Sequence, residues 1–244
     1  MAVQQGPDTR AWAKLGKELG RPEAILMVSA HWDTPLPEVS GADKPETIHD
    51  FNGFARELYE QRYPAPGAPQ LARKVAEQLN ASGMPTAIDP NRGLDHGAWV
   101  PLKWMYPSAD IPVTQLSVQS RSGPRHHYEL GKALQPLRDD GVLVLASGGI
   151  VHNLRDLDWQ AQGREPIAWA RDFNDWIAER VNTHAVDDLI GYRTLAPSAQ
   201  RSHPTEDHFD PFFVALGAGG PNAQRLELGF DLGTLSMDGY VFRD

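Results

Sequence analysis

The chain of 244 residues contains no cysteine, which excludes disulfides, thiolate nucleophiles and cysteine-ligated zinc. Basic residues are in the minority, with 23 Lys and Arg against 32 Asp and Glu and a formal net charge of −9 at pH 7. A surface of that sign repels phosphate backbones, and no stripe of Lys or Arg interleaved with aromatics occurs, so nucleic acid is not an expected partner. No apolar run approaches the roughly 20 residues needed to span a bilayer. No signal-peptide pattern opens the sequence, so the expected location is the cytoplasm. The dinucleotide fingerprint Gly-x-Gly-x-x-Gly, the phosphate loop and the Gly-x-Ser-x-Gly elbow are missing too. Ser147-Gly148-Gly149 is too little to make a nucleotide loop.

What is present is apolar strand patterning that ends in histidine. Ala24-Ile-Leu-Met-Val28 is bounded by Gly20 and Pro22 on one side and runs into Ser29-Ala-His31-Trp32 on the other. Val142-Leu-Val-Leu-Ala146 repeats the design and leads into Ser147-Gly-Gly-Ile-Val-His152-Asn153. Uniformly apolar runs of this length read as strands buried on both faces, as in parallel sheets. Pro112–Val118 is a third candidate.

Between them lie amphipathic helices. One covers 8–19, capped by Asp8, and one starts at Pro69 with Leu71, Val75 and Leu79 on its face. A third starts at Pro124 with His127, Leu130, Leu134 and Leu137 in line, and a fourth carries Trp169, Phe173, Trp176, Ile177 and Val181. Residues 33–47 read as a loop with one short strand, 93–99 as a loop, 155–165 as a polar loop, and 184–202 as a weakly patterned helix. Asp210-Pro211 caps and starts a short helix ending at Gly217, and two short strands near 225–230 and 235–242 close the chain. The alternation predicts one α/β domain over 1–244, with a mixed, mostly parallel central sheet flanked by helices.

Nine histidines are the main ionisable resource. His127 falls on an apolar helix stripe, and neither His126 beside it nor His184 has distinguishing neighbours, so all three read as structural. His31 and His152 differ, because each follows a core strand, and open α/β sheets bind ligands beyond the carboxyl ends of their strands. Neutral imidazole is also the commonest metal ligand and the side chain that titrates nearest neutrality. His208, in Ser202-His203-Pro-Thr-Glu206-Asp207-His208-Phe, offers a further ligand or a capping segment. His49 and His96 read as pocket linings or as ordinary turn residues.

Taken together, these segments resemble the class III extradiol ring-cleavage dioxygenases, in the branch related to DOPA 4,5-dioxygenase. The resemblance rests on Val28-Ser-Ala-His31-Trp32, Thr47-Ile-His49-Asp50-Phe51-Asn-Gly53-Phe54 and Tyr63-Pro-Ala-Pro-Gly67. It continues through Leu94-Asp-His96-Gly-Ala-Trp99, Ser147-Gly-Gly-Ile-Val-His152-Asn153-Leu154 and Pro204-Thr-Glu-Asp-His208-Phe. It implies a small aromatic diol as substrate, O2 as co-substrate, and a non-haem metal, Fe(II) with zinc as the alternative. It also implies His31 and His208 as metal ligands, His152 as acid/base, and His49 and His96 as residues near the substrate. Zinc-containing relatives can count His152 as a ligand. Relatives begin with a short strand and a Gly-His-Gly-Ser-Pro-Met turn whose histidine is a ligand. Met1 aligns with the methionine ending that turn, so the expectation is that residues 1–244 lack the family's first strand and one ligand. Activity would then depend on that missing start. Two rival readings follow from the same residues, a zinc hydrolase and a non-catalytic binding protein.

Overall fold

The computed structural model describes residues 3–161 and 165–244. The polar loop read over 155–165 is described except for 162–164, and the alignment at Met1 lies outside the described residues.

Five strands form the central sheet: β1 (Ala24–Asp33), β2 (Glu38–Ser40), β3 (Ala87–Asp89), β4 (Val113–Val118) and β5 (Val142–Ser147), in the order β3-β2-β4-β1-β5. β1 pairs in parallel with both β4 and β5, β2 pairs in parallel with β3, and β2 meets β4 antiparallel at Val39 and Leu116. The sheet is therefore mixed and mostly parallel, as its apolar runs predict.

β1 is apolar at every early position because both of its faces are covered. Leu26 and Val28 join one core with Val39, Leu116 and Val118 of the sheet, Leu71, Val75 and Leu79 of α3 (Pro69–Ala81), and Leu130 and Leu134 of α5 (Gly123–Leu134). Ile25 and Met27 point the other way. They pack with Leu15 of α1 (Pro7–Leu19) and with Trp99, Leu102 and Met105 of α4 (His96–Met105). Each such fully buried side chain contributes roughly 1.5–3 kcal/mol relative to exposure. A short α2 (Arg56–Tyr59) lies in the connection between β2 and α3.

A third, largely aromatic cluster lies beyond β5. It joins Phe173 and Ile177 of α6 (Ala168–Asn182) to Tyr192 and to Phe209, Phe212 and Phe213. The stretch read as one helix over 184–202 is three short ones: α7 (Val186–Ile190), α8 (Tyr192–Leu195) and α9 (Ala199–Ser202). α10 (Asp210–Ala218) follows, then β6 (Asn222–Leu226), β7 (Phe230–Asp231), β8 (Leu235–Ser236) and β9 (Gly239–Arg243), which pair as two small antiparallel ribbons.

Three local readings are corrected. Gly6, not Asp8, is the N-cap of α1, and Thr9 Oγ1 accepts the Gly6 N–H at 2.8 Å. His96 opens helix α4 instead of sitting in a loop; that helix is apolar nearly all round and so lacks the periodic polar face that marks a helix. β5 is half-buried along its whole length, because among the described residues it pairs with β1 alone. No described helix is long and apolar enough to cross a membrane.

Candidate active site

The end of β1 makes the first half of the site. Its register against β4 runs to Val28↔Leu116 and resumes only at Asp33↔Val118, so residues 29–32 bulge out of the ladder. The pairing with β5 stops at Ser29↔Ser147. The bulge turns His31 to the carboxyl rim, where its ring centroid lies 4.0 Å from that of His96, at the start of α4.

The second half comes from the loops after β5 and before α10, which are laced together. Gly149 N–H donates to the His208 carbonyl at 2.8 Å, and His152 N–H donates to Ser202 O at 3.0 Å. The wholly buried His203 bonds Ile150 O through Nε2 at 2.8 Å. A side chain at Gly148 would run into the His208 carbonyl, so the glycines after β5 serve close backbone approach. This lacing sets the His152 and His208 rings parallel, 3.7 Å apart with 1° between planes. His208 in turn meets His31 edge-on at 5.0 Å.

His96, His31, His208 and His152 thus form one continuous run of rings. The structure brings together His31, His152 and His208, the three histidines singled out in the sequence, and His96 joins them. His49 stands apart. Its Nε2 lies 3.0 Å from Gln61 O, and its ring packs with Phe51, Tyr59 and Trp99. Phe51 is the link between them, 5.6 Å from His96.

Carboxylates back the imidazoles. Asp207 Oδ2 lies 2.6 Å from His208 Nδ1. Asp50 Oδ1 accepts the His96 backbone N–H at 2.9 Å and lies 2.9 Å from His96 Nδ1, while its Oδ2 lies 3.6 Å from His31 Nδ1. Burial pushes Asp50 up, but the hydrogen bonds from His96 outweigh it and bring the carboxyl to about 2. The hydrogen bond from His208 holds Asp207 well below the usual carboxylate range. Burial, reinforced by neighbouring imidazoles, lowers His31 and His152 to about 4 each. Near neutral pH the carboxylates are therefore ionised and these two rings neutral, the state in which imidazole lone pairs bind a divalent ion. The donor set fits a metal. His31, Asp50 and His96 form a group whose ligand atoms lie within 4.8 Å of one another. His208, with its Nδ1 on Asp207, keeps Nε2 for a ligand.

Asp50 has only a faint sequence signal, an acid between His49 and Phe51, and its contact with His31 is tertiary.

An α/β fold that gathers neutral imidazoles and ionised carboxylates at the carboxyl rim of its sheet defines a class, an enzyme domain whose site has the donor groups to hold a metal ion. The chain belongs to the family of the catalytic LigB subunit of aromatic ring-opening dioxygenases, which matches residues 7–242. It is 44% identical over 225 residues to the 4,5-DOPA dioxygenase extradiol of Beta vulgaris, covering 91% of this chain and 83% of that one. It is 40% identical over 238 residues to the protein of the same name from Escherichia coli K12, covering 94% and 85%. The solved structure of the uncharacterized protein JW3007 from Escherichia coli K12 matches with a TM-score of 0.79 and 36% identity, over 95% of this chain and 91% of that one. The protein is an extradiol dioxygenase, an enzyme that opens an aromatic ring with O2. Nothing in these relatives favours the hydrolase or the non-catalytic reading.

Proposed function

We propose that this dioxygenase acts on a catechol of the DOPA kind, with Fe(II) held by His31 and His208 and with His152 as the acid/base group. The similarity to relatives named for 4,5-DOPA supports the substrate class. The single observation that carries the division of roles is the parallel stacking of His152 on His208 at 3.7 Å. Imidazole lone pairs lie in the ring plane. An ion bound at about 2.0–2.1 Å in the plane of one ring is out of reach of the other, so one ring ligates and the other is left for proton transfer. Asp207 selects between them by engaging Nδ1 of His208, the carboxylate–histidine arrangement that orients metal-ligating imidazoles.

The iron would supply a site where diol and dioxygen meet and exchange electron density. The chain's own groups do the rest. His152, neutral at working pH because burial and then the neighbouring His208 lower it, accepts the proton of a substrate hydroxyl and returns it later, while the charge of Asp207 only partly offsets that lowering. His96, held by Asp50, lines the substrate side of His31. Phe51 and Phe54, 5.5 Å apart, offer an aromatic wall beside it. His49 shapes that wall from behind Phe51.

The test is oxygen uptake with DOPA and with plain catechol, after loading with iron or with zinc. Uptake and a ring-opened product with iron, and neither with zinc, are expected. Equal turnover with zinc would defeat the proposal, because zinc has no redox cycle.

A further inference from the structure

We infer that Asp95 is the positioning residue that sets His31 and His96 relative to each other, a role that rests on the reading of His31 as a metal ligand. The bulge at 29–32 takes His31 out of the β-ladder, so its backbone groups need partners elsewhere. Its N–H donates to Ser29 Oγ at 3.2 Å, and its carbonyl accepts from Arg92 Nη2 at 3.4 Å. Both partners are held by one carboxylate. Ser29 Oγ donates to Asp95 Oδ1 at 2.7 Å, and Arg92 Nη2 donates to Asp95 Oδ2 at 2.8 Å.

The same carboxylate reaches two further elements. It accepts from Gln115 Nε2 of β4, and its Oδ1 accepts the Ala98 N–H at 3.2 Å, which caps α4 one residue before His96. Asp95 is wholly buried, a costly place for an ion unless charge and hydrogen bonds offset it. Arg92 supplies the charge and is itself braced against the Trp32 ring at 5.0 Å. Gly97 lets α4 close onto this hub: a Cβ there would collide with Ser29 Oγ and stand 3.1 Å from His31 Cδ2. One buried anion therefore fixes the bulged strand end and the helix start that carry two neighbouring histidines.

The experiment measures zinc affinity by calorimetry, melting temperature, and amide exchange at His31 for the whole chain and its variants. Asp95→Asn removes the charge, and Ser29→Ala removes one hydrogen bond without leaving Arg92 unpaired. Loss of outer-shell partners weakens metal binding by about 10–100-fold, and that range is expected for Asp95→Asn. A smaller loss is expected for Ser29→Ala, with faster His31 exchange in both and a Ser29→Ala melting temperature close to the parent's. Asp110→Asn, at the exposed pair with Arg21, is the control and should leave zinc affinity and His31 exchange unchanged. If Asp95→Asn does not fold, Ser29→Ala decides alone. Parental zinc affinity together with parental His31 exchange in the folded variants overturns the inference. His31→Ala separates the two ideas. If it binds zinc like the parent, the ligand reading fails, while His31 exchange in Ser29→Ala and Asp95→Asn still tests the positioning.

Discussion

The imidazoles of His152 and His208 lie parallel, their centroids 3.7 Å apart and their planes within 1°. Two rings in that relation cannot both direct in-plane lone pairs at one ion, so substituting one should not mimic substituting the other. His208→Ala is expected to lose iron and activity together. His152→Ala is expected to keep most of its iron and lose about 100-fold or more in turnover, the range of a general acid/base. Iron content and rate measured on the same preparations check this. Loss of iron in step with activity in His152→Ala would make that ring a ligand.

The two backing carboxylates predict a second contrast. Asp207 sits 2.6 Å from His208 Nδ1, and Asp50 3.6 Å from His31 Nδ1. Acting as outer-shell partners, each should cost about 10–100-fold in metal affinity when changed to Asn. Titration with zinc reads this directly. A complete loss of binding in Asp50→Asn, with Asp207→Asn unaffected, would instead move the ion onto His31, Asp50 and His96.

A third expectation concerns pH and stability away from the site. His127 is fully buried. Its Nε2 accepts the Gln119 N–H at 3.0 Å, so Nδ1 carries the proton, with Gly123 O at 2.9 Å. Burial lowers it from 6.5 to about 4. Between those values the unfolded chain binds more protons than the folded one, so the His127 contribution is intact above 6.5 and is lost as pH falls toward 4. One unit corresponds to about 1.4 kcal/mol, so the upper bound is about 3 kcal/mol. Asp210, 3.2 Å away and raised to about 8 by burial and then by Glu206, works in the opposite sense. The measurement is therefore a difference: urea midpoints of the parent and His127→Gln at pH 7, 6 and 5. The gap between them should shrink as pH falls, and a constant gap would contradict the assignment.

How far the sequence reached depended on whether burial was local. α3 was legible because Leu71, Val75 and Leu79 repeat at the helical period on one buried face. β1 was legible because both of its faces are covered, which removes all polar residues from Ile25 to Val28. The same rule misled at β5, since an apolar run records its two faces and says nothing of its two edges. It failed at α4 because a helix buried nearly all round has no contrasting face.

The site divides in the same way. His31, His152 and His208 could be singled out because each stands next to a patterned element. By its own residues the sequence determined the α/β class, the acidic cysteine-free character, and which histidines end the strands. Tertiary structure alone decided what those histidines face. Asp50 reaches His31 across 19 positions, Ser29 meets Asp95 across 66, and the lacing of 149–152 to 202–208 sets the angle between His152 and His208. The physical reason is that residue pattern reports whether a side chain is buried. Direction, distance and protonation are set by groups the fold brings from elsewhere.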